Sequence, residues 1–222
     1  VCSSDLGWPT LAAGDKDLLS PSTAFYRQRQ QIAKQRAINV NAKGACYAEP
    51  LGLEGMVCVI PTEQGLCGAA HLIYHFSMGL EFAWMTLQGN DILGTNIDED
   101  IAWMTDIVRF FDSFYRTKTK ELTGKELNTD GKLVIFPANG LELLGNATNP
   151  IEVVSGLQRV TEGLLALPQI TASDRTFLIQ VKNTLPELPT MIRAGKKVLA
   201  PAEKWEHEYN PWELPELYAA WP

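Results

Sequence analysis

Between Cys67 and Gln88 the chain reads CGAAHLIYHFSMGLEFAWMTLQ, apolar nearly all the way round, and it stops at Gly89. A helix with no polar face must be wrapped by other elements, so this segment predicts an inner, buried helix that requires an outer layer. The remaining helical segments supply such a layer. One follows Ser22 and Thr23 through AFYRQRQQIAKQRAINV, with Phe25, Ile32 and Ile38 on one side. Another starts near Asn96 or Asp98, where an Asx cap takes free amide groups, and repeats Ile97, Ile101, Met104, Val108 and Phe111 at helical spacing.

A fourth segment has the clearest start: Asn149 as cap, Pro150 at the first helical position and Glu152 where a capping-box carboxylate reaches back. Val153, Leu157, Val160 and Leu164 form its stripe, and Pro168 ends it. The fifth follows Ser173 with Phe177, Val181 and Leu185 before Pro186. The one hairpin signal is ELNTDGKLVIFPA, which places a short β-hairpin near residues 128–137 with Asp130-Gly131 as its turn. Five helices with sizeable loops and almost no strand predict an all-α fold. Inner apolar helices, outer amphipathic ones and long loops gathered at a rim are the pattern of a helical toroid whose loops line a cleft.

Composition narrows the function. The chain has 222 residues, 45% hydrophobic and 20% charged, enough for one large core or two small ones. Net charge is -7 and pI is near 5.0, with no concentrated basic face, which argues against nucleic acid. The best apolar run, Leu72 to Leu87, is interrupted by His75, Ser77, Gly79 and Glu81, so no membrane span is predicted. Cys2, Cys46, Cys58 and Cys67 form no CxxC pair and lie near no histidine at ligand spacing; buried free thiols are the expectation, with 46–58 or 58–67 disulfides as alternatives. The opening VCSSDL, residues 1–6, resembles the translated tail of a sequencing adapter and is set aside; residues 7–222 are read as part of one domain.

Candidate chemistry concentrates in two places. In GKLVIFPANGLELLGNATNPIEV, Glu142 follows a short apolar run and a proline turn, flanked by Leu141, Leu143 and Leu144. Desolvation there would raise a carboxylic acid's pKa, as proton donation to a leaving oxygen requires; a solvated loop acid or a cap is the alternative. In WEHEYNPWELPELYAAWP, Glu206, Glu208, Glu213 and Glu216 alternate with Trp205, Tyr209, Trp212, Tyr218 and Trp221. Aromatic faces stack on sugar rings while carboxylates accept from hydroxyls, so the mix suits a carbohydrate cleft or, equally, core anchors. His71 and His75 stand one helical turn apart but lack a third ligand, so His71 or Tyr74 is read as a hydrogen-bond donor into the cleft, and neither metal nor cofactor is called for. Glu49 and Glu54 in KGACYAEPLGLEG are read as solvated loop acids.

Taken in order, QRAINVNAKGACYAEPLGLEG, HLIYHFSMGLEFAWMTLQGND, IAWMTDIVRFFDSFY and GKLVIFPANGLELL resemble the catalytic domain of glycoside hydrolase family 95, the six-hairpin α-L-fucosidases, and related uncharacterised proteins. The resemblance covers most of residues 22–222. It implies an (α/α)6 barrel, of which this chain would be an internal fragment, a carbohydrate substrate and inverting general acid/base hydrolysis. The family's acid lies in a segment reading roughly PSxSPE after a short strand; PANGLE stands there in this chain, with Asn139, Gly140 and Leu141 replacing the Ser and second Pro, which points to Glu142. The resemblance places the base-side asparagines before the matched region and an aspartate after it, leaving the fragment alone inert. It also puts Trp212, Glu213 and Glu216 where the family has a rim loop, and suggests a secreted or periplasmic location. A polysaccharide lyase on a similar toroid, with Tyr74 or His75 as base, and a non-catalytic carbohydrate-binding scaffold are the alternatives.

Overall fold

The computed structural model describes residues 4–55, 60–209 and 214–220, with side chains from Gly7 onward. Seven helices lie among them: α1 Ser4–Ala12, α2 Lys16–Gln28, α3 Gln30–Asn39, α4 Ser77–Leu93, α5 Ile101–Thr123, α6 Ile151–Ala166 and α7 Ala172–Thr184. Five short strands accompany them, β1 Ala138–Gly140, β2 Leu144–Ala147, β3 Thr190–Arg193, β4 Lys196–Leu199 and β5 His207–Glu208, followed by a 3-10 turn at Pro215–Ala219. The described residues are therefore mostly helical with a small antiparallel β component, where the sequence predicts helices almost alone. No helix among them is long and apolar enough to cross a membrane.

The central helix is α4, which packs against α1, α2, α5 and α6. It buries Met78, Leu80, Phe82, Ala83, Met85 and Leu87. It begins ten residues later than the apolar run suggests, because residues 67–76 form bends and turns whose amides find nearby carbonyls, as Leu72 N–H finds Ala69 O at 2.9 Å. It also continues past Gly89, where the missing side chain admits Leu19 of α2, and ends at Gly94 in the left-handed conformation that a Cβ disfavours. Phe76, just ahead of α4, sits edge-on to Phe110 at 5.1 Å and Phe114 at 5.6 Å between ring centres, which ties α4 to α5.

Three helical expectations are met in placement, with starts shifted by a few residues: α5 follows Asp100 where Asn96 or Asp98 was expected to cap, α6 follows Pro150, and α7 is capped by Thr171. On α5, Met104, Val108 and Phe111 are buried; on α6, Val153, Leu157, Val160 and Leu164; on α7, Val181. The first helix is different. The helix begins at Lys16 under an Asp15 cap, runs through Ser22 and Thr23, and breaks at Arg29 into α2 and α3. That break resets the helical phase. Ile32 and Ile38 are 42% and 62% exposed, and Tyr26, Ala33, Arg36 and Ala37 turn inward instead.

The hairpin is displaced as well. Gly131, with φ +71, does sit in a turn, where Asn128 Oδ1 accepts from the Asp130 and Lys132 amides. Its would-be first strand is a run of bends after α5 ends at Thr123, however, and the second is drawn elsewhere: Leu133 N–H donates to Thr184 O and Ile135 N–H to Asn149 Oδ1. Pairing starts instead at β1, antiparallel to β2, and β2 takes β5 on its other edge. A second hairpin, β3–β4, turns at Ala194 and Gly195, φ +50 and +74, the two positive values of a type I′ turn.

One large apolar core runs from Leu11 to Leu185, while Leu144, Ala147 and Ala202 form a small separate cluster under the three-stranded sheet. The cysteine expectation is corrected in one respect: Cys67 is disulfide-bonded, whereas Cys46 is a buried free thiol pushed up to about 12 by burial and therefore unreactive. A 46–58 pairing is thereby excluded.

The loop after α3 packs closest of all. A Cβ at Gly44, φ +85, would lie 2.2 Å from Asp106 O and 2.5 Å from Phe110 N on α5. Gly44→Ala is expected to destabilise the protein by about 2–4 kcal/mol in urea unfolding, combining backbone strain with a main-chain clash. Gly14, equally left-handed but with open space around it, serves as the control and loses only about 1 kcal/mol.

Candidate active site

The turn between β1 and β2 carries Glu142. Leu141 takes φ +50, Leu143 N–H closes the turn onto Gly140 O at 3.2 Å, and Glu142 stands half-buried at its centre. Two groups fix this tip. Asn139, buried on β1, accepts from Tyr74 N–H at 2.8 Å through Oδ1 and donates from Nδ2 to Ala70 O at 3.1 Å, locking the hairpin to the 70–76 turn. From α6, Glu152 Oε1 accepts from Leu141 N–H at 3.1 Å.

That second contact replaces the capping box. Glu152 is 0% exposed and reaches the neighbouring hairpin instead of its own helix end, while Asn149 spends its side chain on Ile135 N–H and Glu203. The carboxylate of Glu152 also raises the pKa of the buried Tyr115 hydroxyl, after the larger effect of burial.

Close enough for the Glu142 charge to act on it is Glu49. Its N–H donates to His75 O at 3.1 Å, so the 45–49 loop, the 70–76 turn and the hairpin run side by side, linked Glu49 to His75 and Tyr74 to Asn139. The reading of Glu49 as a solvated loop acid is overturned: it is 8% exposed and its Oε2 has no hydrogen-bond partner among the described residues. Burial first, then the nearby charges of Glu142 and Glu81, push its carboxyl up to about 7. Glu81, on α4, accepts from Trp8 Nε1 at 3.0 Å, which brings α1 to the same rim.

The segment after β4 closes the other side. Tyr209 N–H donates to Leu143 O at 2.7 Å, and its ring lies 6.1 Å from His71 and 6.0 Å from His207. Gly145 permits this, since a Cβ there would meet the Tyr209 ring at 2.5 Å. Trp205 Nε1 donates to Glu208 Oε1 at 3.0 Å and its ring packs on the small cluster beneath the sheet. His71 and the backbone of Tyr74 are thus brought to the Glu142 hairpin; the Tyr74 side chain is half-exposed and lines a cleft of about 330 Å³ with Ile73, Phe114 and Lys118. Glu216, in the 3-10 turn, lies 3.9 Å from Arg193 of β3 and is not linked to Glu142 by any described contact. Trp212 and Glu213 lie outside the described residues.

Because α4 starts at Ser77, His71 and His75 do not share a helical face. His75 is buried, its Nε2 2.8 Å from Ser77 Oγ, and burial followed by the proximity of His71 pushes its pKa down to about 4. Among the described residues no group of three or more His, Cys, Asp or Glu side chains could hold a metal ion.

Sequence reasoning gives no site role to Glu49, read as a solvated loop acid, to Glu152, read as a helix cap, or to Glu81, and does not single out Trp8. The short apolar run Ala45-Cys46-Tyr47-Ala48 just before Glu49 is the one sequence hint, and the structure buries that run completely. Comparison with family models and with curated proteins gives no match for this chain.

Two outcomes follow from this geometry. Glu152→Ala leaves the Leu141 amide without its acceptor and opens a void, costing about 2–4 kcal/mol in urea unfolding and speeding hydrogen exchange at Leu141; Glu152→Gln, which retains an acceptor oxygen, costs less. Glu49, raised from 4.5 to about 7, favours the folded state below pH 4.5 and loses that contribution as pH rises through about 7, while His75, lowered from 6.5 to about 4, loses its contribution as pH falls over that window. Since the two oppose, the difference between wild type and Glu49→Gln isolates Glu49: wild type gains stability relative to the variant between pH 7 and 4.5, by on the order of 3 kcal/mol.

Proposed function

We propose that this chain belongs to the catalytic domain of an inverting glycoside hydrolase of the six-hairpin kind, a partial (α/α)6 toroid, with Glu142 as general acid. The observation that carries the reading is the setting of Glu142: half-buried at a hairpin tip pinned from two sides, beside a buried carboxyl held up to about 7. A partly desolvated carboxyl held in a fixed position is the geometry that protonation of a leaving oxygen uses. The His71 and Tyr209 rings on the same rim supply faces for a sugar.

In this reading Glu142 gives its proton to the glycosidic oxygen as the bond to the anomeric carbon breaks, and the bonding pair leaves with that oxygen. Water attacks the anomeric carbon from the opposite face and passes its proton to a base, which the family resemblance places outside these 222 residues. The disulfide at Cys67 agrees with an oxidising compartment and hence with a secreted or periplasmic protein. A lyase reading stands second, because His75 is buried against Ser77 and only Tyr74 would remain as its base.

The test compares wild type and Glu142→Gln, made in the complete product of the gene, on natural oligosaccharides and on aryl glycosides with good leaving groups, with the product anomer followed by NMR. Activity on natural substrates is expected to fall by about 10²–10⁴, activity on activated aryl glycosides to survive in large part, and the anomer to be inverted. Equal activity of both proteins on natural substrates would return Glu142 to a structural role.

A further inference from the structure

Asn146-Ala147-Thr148 is the one N-x-[ST] tripeptide in the 222 residues, the acceptor pattern for N-linked glycosylation, and nothing in the site described above uses it. As a pattern it is short and common; its place in the fold is more specific. β2 carries one residue more than β1 between their paired positions, since Ala138 pairs with Ala147 while Gly140 pairs with Leu144. The bulge lets Leu144 and Ala147, three positions apart, both face the small apolar cluster under the sheet. Asn146 absorbs the irregularity with φ +50, a value that asparagine tolerates better than other residues with a Cβ. With Ala147 turned inward and fully buried, Asn146 and Thr148 on either side of it are partly exposed. Asn146 Nδ2 donates to Glu206 Oε2 at 2.7 Å on the solvent side of β2, where the Glu206 side chain is largely exposed.

We propose that Asn146 is an N-glycosylation site, modified while the chain is being made and then carried on the β2 bulge with its sugar in solvent. The proposal is independent of the hydrolase reading and shares with it only the oxidising compartment that the Cys67 disulfide indicates. The donor is a lipid-pyrophosphate oligosaccharide, and the transferase recognises the Thr148 hydroxyl. Asn146 Nδ2 forms a bond to the anomeric carbon of the first sugar as the bond from that carbon to the pyrophosphate oxygen breaks. The pyrophosphate leaves with the bonding pair, and the amide gives up one of its two protons. The other proton stays, so a donor to Glu206 Oε2 survives modification. In the folded chain Thr148 is clamped, its N–H on Lys204 O at 2.8 Å and its O taken by Glu203 N–H at 2.9 Å, which denies the transferase an extended tripeptide. Addition therefore precedes closure of the 203–209 segment. Glu206 is made 60 residues after Asn146, and synthesis at roughly 5–20 residues per second leaves an interval of roughly 3–12 s.

The test is expression of the 222-residue chain behind a secretory leader in cultured eukaryotic cells. Tryptic peptide 133–159, which holds the tripeptide, is read by mass spectrometry from both medium and cell lysate, so that a chain that is not secreted still reports. In wild type it is expected to carry a glycan that peptide N-glycosidase removes, converting Asn146 to Asp. Asn146→Gln and Thr148→Ala are expected to lose the glycan, and Thr148→Ser to keep it at lower occupancy. The chain purified folded from bacteria, offered to transferase and lipid donor, is expected to accept sugar only after unfolding. An unmodified peptide in wild type overturns the proposal, as does Thr148→Ala glycosylated to the wild-type level. Glycosylated wild type retained in the cell while Thr148→Ala is secreted would show that the fold has no room for the sugar, and overturns it too. Ready modification of the folded protein would overturn the order of events.

Discussion

The site depends on a cation that is not part of it. Arg36, on α3, is 5% exposed, and its guanidinium donates to three backbone carbonyls: Nε to Gly65 at 2.9 Å, Nη1 to Cys46 at 2.8 Å and Nη2 to Gly55 at 2.6 Å. Burial lowers its pKa, yet a guanidinium has five donors in a fixed fork and does not give up its proton in a protein. It must therefore be satisfied, and the acceptors come from three separate loop segments. Hydrogen bonds to a charged group contribute about 1.5–3 kcal/mol each, enough to hold irregular backbone where no ladder runs. One of those segments leads through Tyr47 and Ala48 to Glu49, so the position of the buried acid is set from α3.

The same logic extends outward. Loops at a functional rim keep their geometry only when side chains take the place of secondary-structure hydrogen bonds. Asn139 does this for the 70–76 turn, Asn149 for the extended segment at Ile135, and Glu152 for the hairpin tip. Each is a polar side chain buried among apolar neighbours, and each aims at backbone across a gap in the chain. Helices α4, α5 and α6 supply the rigid body, and these three side chains carry that rigidity to Glu142.

Long, regularly striped segments were legible in the sequence. The helices α5, α6 and α7 were, because their apolar residues recur with one period and caps or prolines bound them. Residues 67–76 misled because apolar composition without a tested period is shared by a buried helix and a buried set of turns. The Asp130-Gly131 signal marked a true turn, but strand pairing depends on partners, and the Thr184 carbonyl and Asn149 side chain had claimed those amides. At the site, Glu142 could be singled out from its apolar flanks. Glu49 was harder to read, since it is separated from Glu142 by more than ninety residues and its loop is fixed by bonds to α3, α5 and the 70–76 turn, which only the folded chain brings together. The β3–β4 hairpin hid for another reason: an Ala-Gly pair is a weaker sign of two positive φ values than Asn-Gly.

Carboxylates elsewhere in the molecule have partners: Glu152, fully buried, accepts from the Leu141 amide, and three aspartates meet cations. Asp106 meets Lys34 at 2.8 Å, Asp112 meets Arg116 at 2.7 Å and Asp174 meets Arg109 at 3.1 Å, each partly shielded and each given a cation. Glu49 is more deeply buried than any of these aspartates and is surrounded by charges of its own sign. A residue kept only for stability would do better there as an amide or an apolar side chain, because a buried carboxyl without a cation must stay protonated to remain folded at low cost. The arrangement spends stability to retain a proton near neutral pH.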